Sequence, residues 1–515
     1  MNALSVGVKF AARAIATVVA IATLLLASGC GSGSGSIGGG GGGGNQNFSK
    51  ASLNGQYAFT LRGIGTPDNL NGFLFVEGGV FTADGKGNLT DITDDVIENS
   101  TASLGNHPTG AYFINPDGSG ELTFSFGAGN DFKYRVTLSD DSHFYMVEDE
   151  GFNTSAGSGE KQNVAAFASV PSGTFVLQTH DLGATGFVNN SKVGVTTWTA
   201  GNIVGTGDVL SSGALSSVAI NGTAQAPSST SGRGSVTITD DTGTSHYVYY
   251  VVNSGKLRLL NTDNLTSLGL GVAEAQSAGP FSLASFSGSY VFGSAGETGI
   301  VDGIHTVGLI QSDGAGNIMD GSFDFVQDGN VVTGVSLDAG SPSKYLLDPL
   351  TGRVDVTLHL STAVGNEKVM YLVSPSRALF LVNDPTNVED GTLDKQTGAF
   401  SNSSLNGQAA FFMDGLDDVQ VLFKDRVGTL TPDGSGSLKT NYRSSFFDPN
   451  FIVGGFQDNA FSGTYAVSGN GRATAQFPGF TNNMVFYLST ANTGYFLQAD
   501  TGIDIGGAFT NQAKQ

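Results

Sequence analysis

Apolar and polar residues alternate in steps of two over short stretches of this chain. Leu122, Phe124 and Phe126 interleave with Glu121, Thr123 and Ser125, and Tyr134, Val136 and Leu138 interleave with Lys133, Arg135 and Thr137. A period of two is that of a strand with one face in a core and the other in water. Turn residues separate these stretches. Asp84-Gly85-Lys86-Gly87, Asp313-Gly314-Ala315-Gly316 and Asp433-Gly434-Ser435-Gly436 have the chemistry of tight hairpins, because glycine accepts the positive φ that such turns need. Within the first 170 residues the pattern predicts eight strands, at 56–61, 73–82, 88–97, 110–114, 121–126, 133–138, 143–148 and 163–169.

The same unit recurs four times. A Gly-x-aromatic opening stands at Gly55-Gln56-Tyr57, Gly173-Thr174-Phe175 and Gly288-Ser289-Tyr290, and again, with the aromatic lost, at Gly407-Gln408-Ala409; the glycines are 118, 115 and 119 residues apart. A strand ending in aspartate follows in each unit, at Asp149, Asp263, Asp384 and Asp500, and a glutamine closes it, at Gln162, Gln276, Gln396 and Gln512. Repeats of this length are domain-sized. The expected domains are 48–170, a divergent 171–283, 284–401 and 402–515. The fold class expected is all-β, with four tandem antiparallel β-domains of about eight strands each. An up-and-down barrel is favoured, because closure removes exposed edges. A sandwich comes second. A propeller comes third, since Gly110-Ala111-Tyr112 and Gly463-Thr464-Tyr465 partly repeat the opening half a unit later.

The N-terminus breaks the strand pattern. Lys9 and Arg13 precede an apolar run from Ala14 to Ala27, which ends in Ser28-Gly29-Cys30, the only cysteine of 515 residues. At 1.5 Å per residue the run covers roughly 21 Å, short of a hydrocarbon core of about 30 Å, so it reads as an export signal and not a membrane span. Leu26-Ala27-Ser28-Gly29-Cys30 resembles the lipobox of bacterial lipoproteins. The resemblance implies cleavage between Gly29 and Cys30 over residues 1–29, diacylglycerol on the Cys30 sulfur and acylation, as by palmitate, of the new amino terminus. Gly31 after the cysteine resembles the class retained in the outer membrane, where the organism has one. Residues 30–47, with seven consecutive glycines from Gly38 to Gly44, form a flexible leash whose mean span is some 20 to 25 Å. With its Leu-Asn-Gly-x-Tyr openings and Asp-Gly-x-Gly hairpins, the mature chain resembles a group of repeat lipoproteins seen in acidobacterial genomes, a likeness that brings no activity with it.

Composition narrows the partners. A net charge of −22, made more negative by loss of Lys9 and Arg13 with the signal, disfavours nucleic acid and anionic head groups. With no second cysteine there is no disulfide, so stability rests on apolar cores. The six histidines (His107, His143, His180, His246, His305 and His359) show no zinc-ligand spacing, no Gly-x-Ser-x-Gly elbow occurs, and the Asp-Gly-x-Gly sites lack the lysine of a phosphate loop. No catalytic residue, cofactor site or metal site is therefore assigned. Asp149, Asp263, Asp384 and Asp500 are weak metal candidates, for which a structural role at a turn is the favoured reading. The function expected is that of a membrane-tethered, exported envelope protein, non-enzymatic, binding or structural, with a glycan, a protein or a small apolar molecule as partner. The alternatives are a glycan hydrolase with carboxylates the pattern does not reveal, and an outer-membrane pore.

Overall fold

The computed structural model describes residues 47–513 apart from 66–72, 99–100, 128, 150–152, 184–189, 212, 264–266, 298–302, 363–364, 385–386, 421, 449–452 and 479–482. Gly29, Cys30, the rest of the expected export signal and nearly all of the expected leash lie outside the described residues.

The first repeat shows how the alternation becomes a barrel. Its strands are β1 (Asn54–Gly65), β2 (Phe73–Asp84), β3 (Asn88–Glu98), β4 (Thr101–Asn106), β5 (Thr109–Ile114), β6 (Ser119–Ser125), β7 (Asp131–Leu138), β8 (His143–Glu148) and β9 (Asn153–Lys161). All pair antiparallel with their neighbours, and β9 returns to β1 through Tyr57↔Lys161 to Gly65↔Asn153, so the sheet closes. The first residues of β3 pair with β5 and its later ones with β4, which makes β4 a ninth strand beside an eight-stranded ring. The third repeat, Ser287–Lys395, repeats this arrangement, while the second, Gly173–Ala275, and the fourth, Ala409–Asn511, are closed barrels of eight strands. The chain is thus four up-and-down barrels in tandem.

Inward residues are those the period of two selects. Tyr57, Phe59, Phe81, Leu122, Phe124, Tyr134, Phe144 and Met146 form one buried cluster, with the Phe124 and Tyr134 rings 5.2 Å apart. Side chains therefore fill the interior. Each Asp-Gly-x-Gly turn is tied by its aspartate: Asp84 Oδ1 accepts from the amides of Lys86, Gly87 and Asn88 at 2.7, 3.0 and 3.0 Å, and these bonds hold its carboxyl down at about 2.

Three expectations are corrected within the first repeat. The last strand is at 153–161, and residues 163–169 instead include a 3-10 turn, Val164–Ala168. Pattern reading misses β9 because it is glycine-rich and polar, Asn153-Thr-Ser-Ala-Gly-Ser-Gly-Glu-Lys161. A Cβ on Gly159 would sit 2.1 Å from Phe144 Cζ, so the neighbour's ring occupies the space an apolar side chain would take. Strand β4 is missed because it lies outside the ring with its residues mostly exposed, so no buried face imposes an alternation on it. Phe126 lies past the end of β6 and is exposed, with its amide bonded to the Asn130 carbonyl in a turn.

The barrels pack head to tail, and the recurring glutamines are the hooks. Gln162 Nε2 donates to the carbonyls of Ser231 and Val251 in the second barrel, Gln276 to Thr351 and Leu372 in the third, and Gln396 to Asn470 and Leu488 in the fourth. Gln512 then donates to Asp117 and Leu138 of the first barrel at 3.1 and 2.6 Å. A heterologous contact repeated in one direction that returns to its start after four copies is a ring. Apolar clusters seal each junction. Ala58, Val76 and Val80 meet Val248, Tyr250 and Val252; Val193 and Val195 meet Tyr371 and Leu381; Val291 and Leu309 meet Tyr487 and Leu497; Tyr145 and Val147 meet Ala410 and Val427.

A buried ion pair accompanies three of these junctions. Asp95, Asp208 and Asp324 each accept two hydrogen bonds from an arginine of the next barrel, respectively Arg233, Arg353 and Arg472, and one from a tyrosine, Tyr250, Tyr371 and Tyr487. At the fourth junction the charges change sides. The fourth barrel supplies Arg443, and the first supplies Asp149, at 3.0 and 2.8 Å.

Candidate functional site

Turns close one end of each barrel, and the glutamine hooks lie there. Toward the other end, each interior carries polar groups on an otherwise apolar wall. Register fixes the comparison: Phe59, Leu177, Phe292 and Phe411 lie opposite Gly79, Gly194, Gly308 and Gly428, and two residues before those glycines stand Glu77, Lys192, Thr306 and Arg426. One position in the repeat thus holds four different chemistries.

In the first barrel Tyr134 donates to Glu77 Oε1 at 2.7 Å, and the Glu77 and Asp94 carboxyls hydrogen-bond each other with Glu148 close by. Burial, reinforced by Asp94 and Glu148, pushes Glu77 well up; burial, with Asp95 adding to it, raises Asp94 to about 7. The three carboxyls are at most 3% exposed. Carboxyls in hydrogen-bond contact leave no room for a glycosidic oxygen, since a hydrolytic pair stands about 5 to 9.5 Å apart. In the second barrel Lys192 is paired with Asp240, and Asp181 accepts from Tyr247 and Asn261 at 3.0 and 2.7 Å. In the third, Lys368 lies between the rings of Phe292 and Phe380, 4.8 and 5.0 Å from their centroids, and burial lowers its ammonium to about 8.

The fourth barrel has a cavity of about 30 Å³ lined by Phe411, Met413, Tyr442, Met484, Phe496 and Arg426, among others. On this side of the barrel Tyr442 and Phe461 are only half-buried. Arg426 is 9% exposed. Its Nη1 donates to Gln498 Oε1 at 2.7 Å and its guanidinium lies 5.5 Å from the Tyr442 ring centroid. Arg426 Nε is buried with no hydrogen-bond partner.

The recurring aspartates do not occupy a single position. The amides of Asp149, Thr262 and Ala499 make the same bond to the strand opposite, to the carbonyls of Lys133, His246 and Asn483, so Asp149 is one residue earlier in the repeat than Asp263 and Asp500. Asp263 accepts from the amide and Nδ1 of His246, both at 2.8 Å, and Asp500 accepts from the amide and Nδ2 of Asn483 and from Gln498. Asp384 follows the strand Arg377–Asn383 directly, with its amide bonded to the Val382 carbonyl. Asp149 is the junction carboxylate, held by Arg135 and Arg443. Among the described residues, no group of three His, Cys, Asp or Glu side chains is placed to hold a metal ion. Trp198 is buried in the second barrel's core, its ring 5.6 Å from that of Phe175.

Sequence reasoning missed the cavity residue Arg426 and the junction arginines. The shared Gly-Arg of Gly232-Arg233, Gly352-Arg353 and Gly471-Arg472 was the available signal.

No protein-family model matches the chain, and no curated protein matches it. Among solved structures, intact Ap-TbpB (N and C lobes) aligns over 72% of this chain and 83% of its own at 9% identity, with a TM-score of 0.16. Superposition that loose carries no functional argument. Among the described residues no helix is long and apolar enough to cross a membrane.

Proposed function

We propose that the protein is an exported lipoprotein of the cell envelope, anchored through acyl chains at Cys30, and that it presents a rigid, non-enzymatic four-barrel ring for binding or for structure. The observation that carries this reading is the ring itself. Four barrels hooked head to tail make one body, and the glycine-rich sequence before it suits tethering and presentation. The apolar run ending in Leu26-Ala27-Ser28-Gly29-Cys30 supplies the anchor. Several acyl chains at about 0.8 kcal/mol per buried methylene bind a membrane stably, where one chain is marginal. The titratable clusters support a structural part over a hydrolytic one, since Glu77, Asp94 and Glu148 are shut inside the wall and engage one another. The rings of Phe59, Phe81 and Phe124 fill the first barrel where a pore would need a lumen.

Fractionation of cells expressing the wild type and Cys30→Ala tests the anchor. The wild type is expected in the membrane fraction, with a mature amino terminus at Cys30 carrying acyl mass, and the variant is expected in the soluble fraction. An unacylated terminus elsewhere, or a variant that stays in the membrane, overturns the proposal.

A further inference from the structure

At the register position of Glu77, Lys192 and Thr306 the fourth barrel differs from the other three; elsewhere in the wall, Lys368 of the third barrel is likewise an inward cation whose Nζ has no hydrogen-bond partner, held between two rings. Glu77 meets a tyrosine hydroxyl and a partner carboxyl, Lys192 meets Asp240, and Thr306 carries no charge. Arg426 occupies the same register position, is 9% exposed, and has no carboxylate within 4 Å among the described residues; its Nη1 donates to the neutral Gln498 amide oxygen. A guanidinium taken out of water is costly unless an anion and further hydrogen bonds compensate it. Here Nε, a buried donor, has no protein partner, and Arg426 lines a cavity of about 30 Å³. That volume exceeds the roughly 10 to 15 Å³ one water requires. Aromatic rings and the two flexible thioethers of Met413 and Met484 make up most of the remaining wall, and methionine walls adapt to the shape of what they hold. Tyr442 and Phe461 are half-buried, so the wall reaches solvent on their side.

We infer that the fourth barrel is a binding site for a small organic carboxylate, whose oxygens pair with Arg426 and whose short apolar tail lies against Met413, Met484 and Phe496. The site uses the charge-assisted geometry in which guanidinium and carboxylate match best. This inference does not depend on the lipid anchor, so its outcome is separate from that of the fractionation experiment.

The test uses the mature chain with ¹³C-methyl methionine, propionate as probe and 1-propanol as its uncharged counterpart. Propionate is expected to shift the Met413 and Met484 methyl resonances saturably, with propanol at least tenfold weaker. Arg426→Gln is expected to weaken propionate at least tenfold. No saturable shift up to about 0.1 M propionate, equal binding of propanol, or shifts confined to other methionines each overturn the inference. The comparison of propionate with propanol uses the wild type alone, so it decides the matter even if the Arg426 variant fails to fold.

Discussion

Buried charge is handled one residue at a time in this protein, and each solution leaves its own pH signature. Asp94 is 1% exposed, and burial lifts its carboxyl to about 7 from an ordinary value near 3.8. A carboxyl raised in the folded state keeps its proton where the unfolded chain has lost it. Stability therefore falls as pH rises from about 4 to about 7 and levels off above. Asp94→Asn retains a polar amide beside Glu77 without a titrating proton. It is expected to flatten that slope and to raise the melting temperature at pH 7 by calorimetry; an unchanged slope would assign the pH dependence to other groups. Glu160 illustrates the opposite outcome, because Arg258 and Lys256 of the second barrel outweigh its burial and hold it down at about 2.

Strands were legible where their side chains follow the pleat and illegible where a neighbour's ring fills the place. Strands β6 and β7 were placed by alternation, since Leu122, Phe124, Tyr134 and Val136 point to one core. Strand β9 escaped, although it closes the barrel, because Gly157 and Gly159 leave its face bare for Leu61 and Phe144. Gly159→Ala would drive a methyl into the Phe144 ring. It is expected to destabilise the first barrel by at least about 2 kcal/mol in chemical denaturation and to expose β8 and β9 to proteolysis first. Denaturation like that of the wild type would mean that the ring can move aside. The junctions were also written in the chain, but in a form that alternation cannot see. Tyr247 to Val252, Val369 to Val373 and Met484 to Leu488 are unbroken apolar runs, the mark of strands covered on both faces. The equivalent β7 carries Lys133, Arg135 and Thr137 on its outer face, in keeping with a closing junction that is more polar than the other three. Arg426 was illegible for another reason: a lone arginine in a strand has no spacing to mark it, and only closure of the barrel turns it inward.

Ring closure belongs to the whole molecule. Three junctions set an aspartate of one barrel against an arginine of the next, and the fourth reverses the order with Arg443 and Asp149. Like charges set opposite one another cost several kcal/mol, so the reversal disfavours substituting one junction's partner for another. Arg443→Asp would set two carboxylates together at the fourth junction. It is expected to enlarge the radius of gyration in X-ray scattering, at denaturant concentrations where the barrels stay folded. A scattering curve equal to that of the wild type would show that Tyr145, Val147, Ala410 and Val427 suffice to hold the junction. Gln512, the residue that completes the circle, lies just after the last strand of the fourth barrel and reaches back to the first. A chain delivered amino end first therefore finishes three barrels while the earliest keeps a sticky flank uncovered, and only the newest arrival can shield it. Assembly thus has a built-in final step in which the oldest and youngest parts of the molecule meet.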